Sequence, residues 1–247
     1  KAIAWGLDIN FVAYTDEKVA ANDFKAGVCE GVLVTAILGR QFVPFAGTLD
    51  AIGGITTDEG LGKILATLAN PKAGKLMTNG PYETVASFPV GTLFAFVNDK
   101  SIDTVAEFSG KKISVLNEDP QTHKLANMAG ASPVGTSLAT FSGQFNNGNI
   151  DILFMPALAY NTFELYKGLG KNGGILDLRL FYGMLQAISR KSSFPDDFGT
   201  KMRKYMVGRL NNIINLIDQA EKTIPQRYWI KTSKETKEEL EYFYKDI

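Results

Sequence analysis

The chain has 247 residues, 45% of them apolar, with 26 Lys plus Arg set against 26 Asp plus Glu. Such balance gives no global field favouring nucleic acid or an anionic membrane surface, and no apolar run approaches the ~18 residues of a membrane-spanning helix. One His and one Cys leave no material for a His/Cys metal cluster.

From the N-terminus, Lys1 to Trp5 reads as the tail of a helix, and Leu7 to Tyr14 alternates as a half-buried strand does. A doubly wound domain opens on a strand, so an upstream segment carrying a central strand and an export signal is expected before Lys1. Cys29 then has two readings, a buried free thiol or a disulfide to that upstream segment. Thr15 or Asp16 caps a helix through Ala26 that Gly27 ends. Gly31 to Ala36 reads as a buried, parallel-type strand, and Thr48 to Ile55 as a further extended piece. Asp58 to Ala69 is helical, and Pro71 opens a short helix to Met77.

Glu83 to Phe88 and Thr92 to Val97 are β runs interrupted by Pro89 and Gly91. A long apolar strand broken in this way suits a crossing between two lobes. Gly174 to Ile188, with Phe181, Tyr182 and Gly183 at its middle, is a second crossing, and two crossings make a hinge. Phe198 to Thr223 reads as one long helix spanning both lobes, stopped before Pro225. Ser233 to Lys245 is a charged helical tail. The expected division is a first lobe of residues 1–90 plus about 185–247, and a second lobe of 91–184.

Lys111 to Pro156 is the most regular stretch. Lys112–Leu116, Pro133–Thr136 and Ile150–Phe154 are strands, separated by helices from Gln121 to Ala129 and from Ser137 to Asn147. Strand, helix, strand, helix, strand at this spacing is a parallel βαβαβ unit. Its ligand-facing groups belong at the carboxyl ends of the strands, here Asn117, Glu118, Thr136, Met155 and Pro156.

The same stretch resembles the second domain of the periplasmic solute receptors of tripartite ATP-independent (TRAP) transporters. It is similar through Gly110-Lys-Lys-Ile-Ser-Val-Leu116, through Gly130-Ala-Ser-Pro-Val134, and through Phe145-Asn-Asn-Gly-Asn-Ile-Asp151 ending at Met155 and Pro156. A closer likeness is to a group of solute-binding proteins, some of them assigned to efflux systems. The segments Asp16–Gly27, Gly39–Phe42, Asn79–Glu83 and Glu164–Gly170 carry it. The resemblance reaches to about Trp229. It implies an α/β fold: a two-lobed periplasmic binding protein of type II, each lobe a mainly parallel sheet flanked by helices. It also implies an exported receptor that captures a small organic, anionic molecule between its lobes and delivers it to membrane transporter subunits. Two positions depart from the receptor pattern. Ser114 stands where the receptors carry their ligand arginine, and Met155 where they carry a pocket asparagine; a serine lacks the fork that holds a carboxylate bidentately.

Weighed residue by residue, catalysis finds little support. His123 has no partnered nucleophile and no G-x-S-x-G turn accompanies it; Asp196 and Asp197 lack ligand spacing and complement a helix start. No phosphate-binding glycine loop occurs. A binding site remains, with no cofactor and no nucleic acid. Arg40 is the cation for an anionic ligand or else half of a structural ion pair, with Gln41 and Phe42 beside it. Tyr82 is either cleft-facing or packed at the hinge. Asn117 and Glu118 face the cleft by topology, Met155 and Tyr160 can reach the same space, and Arg179 on the second crossing stands in for the missing arginine. The alternatives are an α/β enzyme using His123 with a carboxylate, and an interaction protein with a vestigial cleft and a partner on Ser233 to Ile247.

Overall fold

A computed structural model of the chain describes residues 3–245. In chain order the first half holds α1 (Glu17–Ala26), β1 (Gly31–Thr35), α2 (Ala36–Gly39), α3 (Asp58–Leu68), β2 (Thr78–Asn79) and the long β3 (Tyr82–Val97). The regular stretch gives β4 (Lys112–Leu116), α4 (Pro120–Met128), β5 (Ser132–Thr136), α5 (Phe141–Asn146) and β6 (Ile152–Pro156). Then follow α6 (Ala159–Thr162), α7 (Tyr166–Leu169), β7 (Gly174–Leu176), β8 (Tyr182–Arg190), α8 (Phe198–Val207), α9 (Leu210–Lys222), β9 (Trp229–Ile230) and α10 (Lys234–Lys245).

Six strands form one path, β1-β8-β3-β6-β4-β5, with β3 shared between two half-sheets and β2, β7 and β9 paired off it. Tyr82 to Thr92 of β3 pair antiparallel with β8, and Leu93 to Val97 pair with β6 in the other half. The register slips between Thr84 and Ala86 and again between Pro89 and Gly91. Pro89 has no N–H for a ladder, and Gly91 sits at φ 108°, a backbone conformation that side chains resist. The interruption therefore falls where the strand passes from one half-sheet to the other. β4 lies parallel to both β5 and β6, as a βαβαβ unit requires.

Each half has its own core. Phe24, Phe42, Leu61, Met77, Tyr182 and Ile188 are buried together in the first. In the second, alternate residues of β3 supply two clusters: Phe94 and Phe96 join Phe141, Phe145 and Tyr228, whereas Ala95 and Val97 join Phe108, Ile113 and Ile152. A period of two places these sets on opposite faces, so this half-sheet is covered on both sides. The segment after β8 serves both halves: α8 packs on β3, while Ile224 and Tyr228 enter the second core and β9 pairs with β7.

Several local expectations change. Leu7 to Tyr14 forms no strand, and Phe11 is 93% exposed. Alternation alone does not make a strand; the backbone needs a ladder partner, and none of the described residues supplies one. β1 runs antiparallel to β8 and is half exposed, not a buried parallel strand. Every pairing in the first half-sheet is antiparallel among the described residues, with β3 and β8 at its centre, and the expected second crossing is no single strand but β7 in one half linked to β8 in the other. Pro44–Thr48 is a 3-10 turn followed by further turns where an extended piece was expected. The long helix breaks at Gly208 and Arg209 into α8 and α9, and α5 begins only at Phe141. Ile3–Trp5 is a single 3-10 turn; Lys1 and Ala2 of the expected helix tail lie outside the described residues.

Candidate ligand-binding cavity

The carboxyl ends of β4 and β6 and the residues after β1 open on a cavity of about 770 Å³. Its wall comes from both halves. Thr35, Ile37, Arg40 and Asp50 face it from one side, Ser114, Asp119, Phe154 and Met155 from the other, and Val90, Leu93 and Met184 from the crossing strands. Enclosure between two sheets at strand carboxyl ends is the usual place for a small ligand in α/β proteins.

The charged part of the wall is compact. Arg40 follows α2 directly, and its Nη2 donates to Asp119 Oδ1 at 3.2 Å and to the Glu118 carbonyl at 3.4 Å. Asp119 caps α4, accepting from the Gln121 backbone N–H at 3.3 Å, and is almost fully buried. Helix start and arginine thus hold one carboxylate from opposite halves. Asp50 stands nearby on the turn after the 3-10 segment. Burial pushes its carboxyl up to about 7; its own backbone N–H and Arg40 oppose the rise, and Asp119 adds to it. Glu17 is also raised, chiefly by burial, although the Thr35 N–H and hydroxyl donate to it at 2.8 and 3.1 Å.

The position of the receptors' arginine is part of this wall. Ser114 reaches not outward but sideways, its hydroxyl 2.9 Å from that of Thr136, which donates on to the Val115 carbonyl at 3.1 Å.

Of the residues singled out from sequence, Arg40, Met155 and Pro156 line the cavity together, whereas Gln41, Tyr82, Asn117, Glu118, Thr136, Tyr160 and Arg179 do not. Gln41 is exposed. Tyr82 packs with Phe24 and Phe42 at centroid distances of 5.4 and 5.0 Å, with Arg190 above it, so it belongs to the first core. Asn117 is exposed, and Glu118 turns outward to Lys18 at 3.0 Å. Tyr160 is buried against Tyr166 and Tyr228. Arg179 donates to both oxygens of Glu221 at 3.0 and 3.2 Å, so it does not replace the missing arginine. His123, in α4, lies outside the wall. Sequence reasoning missed Asp119 and Asp50. Asp119 had a signal, an acidic residue before Pro120 at a helix start; Asp50 had none, since only the tertiary fold half-buries it and brings it to this wall.

Cys29 is a free thiol among the described residues, 3.8 Å from the Tyr14 hydroxyl.

The family model described as Solute-binding protein AdeT 1/2 matches residues 3–243. The probable solute-binding protein AdeT1 of Acinetobacter baumannii is 39% identical over 238 residues, covering 96% of this chain and 78% of that protein. The probable solute-binding protein AdeT2 of the same organism is 30% identical over 187 residues, or 76% of this chain and 79% of the relative. Among solved structures, a TRAP periplasmic solute binding protein from Haemophilus influenzae RdAW, with bound L-gulonate, aligns with a TM-score of 0.77 at 18% identity, over 94% of this chain and 77% of that one. The periplasmic ectoine-binding protein of the TeaABC TRAP transporter of Halomonas elongata aligns at 0.75 and 12% identity, over 93% and 77%. At such identities the likeness establishes the fold, which is that of the two-lobed TRAP receptors. The chain belongs to the AdeT1/2 family of solute-binding proteins.

Proposed function

We propose that the protein is a periplasmic receptor, exported by a signal on its full-length chain, that closes around a small organic molecule and passes it to membrane transporter subunits. The observation that carries this reading is the cavity itself, whose walls come from two half-sheets joined through β3 and through the link from β7 to β8. A first lobe of residues 1–90 with about 185–247, and a second of 91–184, would move about those crossings, while the C-terminal segment bridges both. Hinge closure suits a site whose two walls belong to different bodies. Arg40 is the cation for an acidic head, in keeping with the L-gulonate and D-glucuronate held by the solved neighbours. Met155 and the apolar wall receive the remainder. The family is one of solute-binding proteins, and the reading assigns the chain no catalytic step.

A thermal-shift screen of metabolites tests it. A ligand at 100 times its dissociation constant adds about 2.7 kcal/mol of stability, and Arg40→Gln should abolish the shift given by any acid that produces one. Absence of a shift from every metabolite class would sink the receptor reading.

A further inference from the structure

Three ionisable side chains line the cavity: Arg40, Asp50 and Asp119. With both carboxylates ionised, the wall carries one positive and two negative charges. An acidic head would bring a third negative charge into an enclosed space, where like charges repel far more strongly than in water. Arg40 alone does not offset this, because Asp119 already engages its Nη2. Nη1 and Nε remain for a ligand. The charged groups that act on Asp50 are Asp119 and Arg40. Glu118 is drawn away by Lys18, and Glu17 is held by Thr35. Asp119 is fixed by Arg40 and by the first amides of α4. Among the described residues Asp50 has no side-chain donor, so Asp50 is the carboxyl that can give up its charge.

The rest of the wall limits the body of the ligand. Its hydroxyls are committed to protein acceptors: Thr35 to Glu17, Thr48 to the Phe45 carbonyl, Thr122 to the Asp119 carbonyl and Thr162 to the Leu158 carbonyl. Ser114 is tied to Thr136. Against them stand Ile37, Leu93, Phe154, Met155, Phe181 and Met184. Besides Arg40, only the Gln121 amide is an uncommitted side-chain donor in this wall among the described residues, so a many-hydroxylated sugar acid would leave most of its hydroxyls unmet, and each unmet buried polar group is costly.

We propose that the cavity takes an apolar-bodied molecule with a single acidic head, and that the head binds Arg40 together with a proton taken up by Asp50. This rests on the receptor reading above. Binding then consumes one proton, and the bound state pairs one arginine with two anions, Asp119 and the ligand.

Calorimetry on the whole chain reads this directly. The probes are octanoate and phenylacetate, with octylamine, phenethylamine and D-galacturonate beside them, at pH 5.5 and pH 8 in buffers of different protonation enthalpy. An apolar acid should bind about tenfold tighter at the lower pH, since burial pushes the Asp50 carboxyl up to about 7. About one proton per ligand should be taken up at the higher pH. Asp50→Asn should remove both the pH dependence and the proton uptake; the uptake by the unaltered protein stands as evidence even if that variant fails to fold. Acid affinity that is flat across this range, or preference for either amine or for galacturonate, overturns the inference and leaves the receptor reading intact. Failure of all five probes and of every metabolite in the thermal-shift screen removes both.

Discussion

Arg203 shows how single residues are committed in the first half. It is 4% exposed, and its Nη1 donates to Glu83 Oε1 and to the Thr84 carbonyl, both at 2.8 Å. The pair joins α8 to the start of β3, and Gly199 leaves room for it, since a methyl there would collide with the Glu83 carboxylate. Removing one member of a buried pair leaves the other charged and unsolvated, typically a loss of about 3–5 kcal/mol. Arg203→Ala should therefore lower the urea midpoint steeply; a change under about 1 kcal/mol would show that water reaches Glu83 in the folded state. Local sequence could not reveal this pair, because its members are 120 positions apart. Asp50 was hidden for the same reason. By contrast Arg40 was legible, as an arginine just after a run that reads as a buried strand.

Among the elements, β3 determines the architecture. Its sixteen residues belong to two half-sheets, and the change of partner coincides with Pro89 and Gly91. Gly91 is positioned with Ile217 of α9 close behind it, so a side chain there meets both backbone strain and a neighbour. Gly91→Ala should destabilise by about 1–3 kcal/mol and should alter ligand dissociation, if the bulge is where the lobes turn. A variant of unchanged stability and unchanged ligand off-rate would place the turning point elsewhere. The interruption was readable from sequence because proline and glycine act through their own backbones. The register, and the antiparallel pairing with β8, were not. Nor was the fate of Leu7 to Tyr14, where an alternating pattern ends without a ladder.

Over the whole molecule, two ion pairs join the two halves: Arg40 with Asp119 at 3.2 Å and Lys18 with Glu118 at 3.0 Å. Lys18 is largely exposed, and its pair contributes little; Asp119 is buried, and its pair is the stronger tie. Asp119→Asn should increase the radius of gyration of the ligand-free protein in X-ray scattering, and an unchanged curve would show that the pair does not hold the lobes together. The α/β class, the parallel unit from Lys112 to Pro156, the place of the crossing strand and the family likeness were all legible along the chain. Each of these follows from periodicity, backbone preference or residue order along neighbouring positions. Only the tertiary structure decided which groups share the cavity. It removed Tyr82, Tyr160 and Arg179 to packing and ion-pair roles, and it brought Asp50 and Asp119 to Arg40. Burial and pairing join residues far apart in the chain, and that information exists only once the chain has folded.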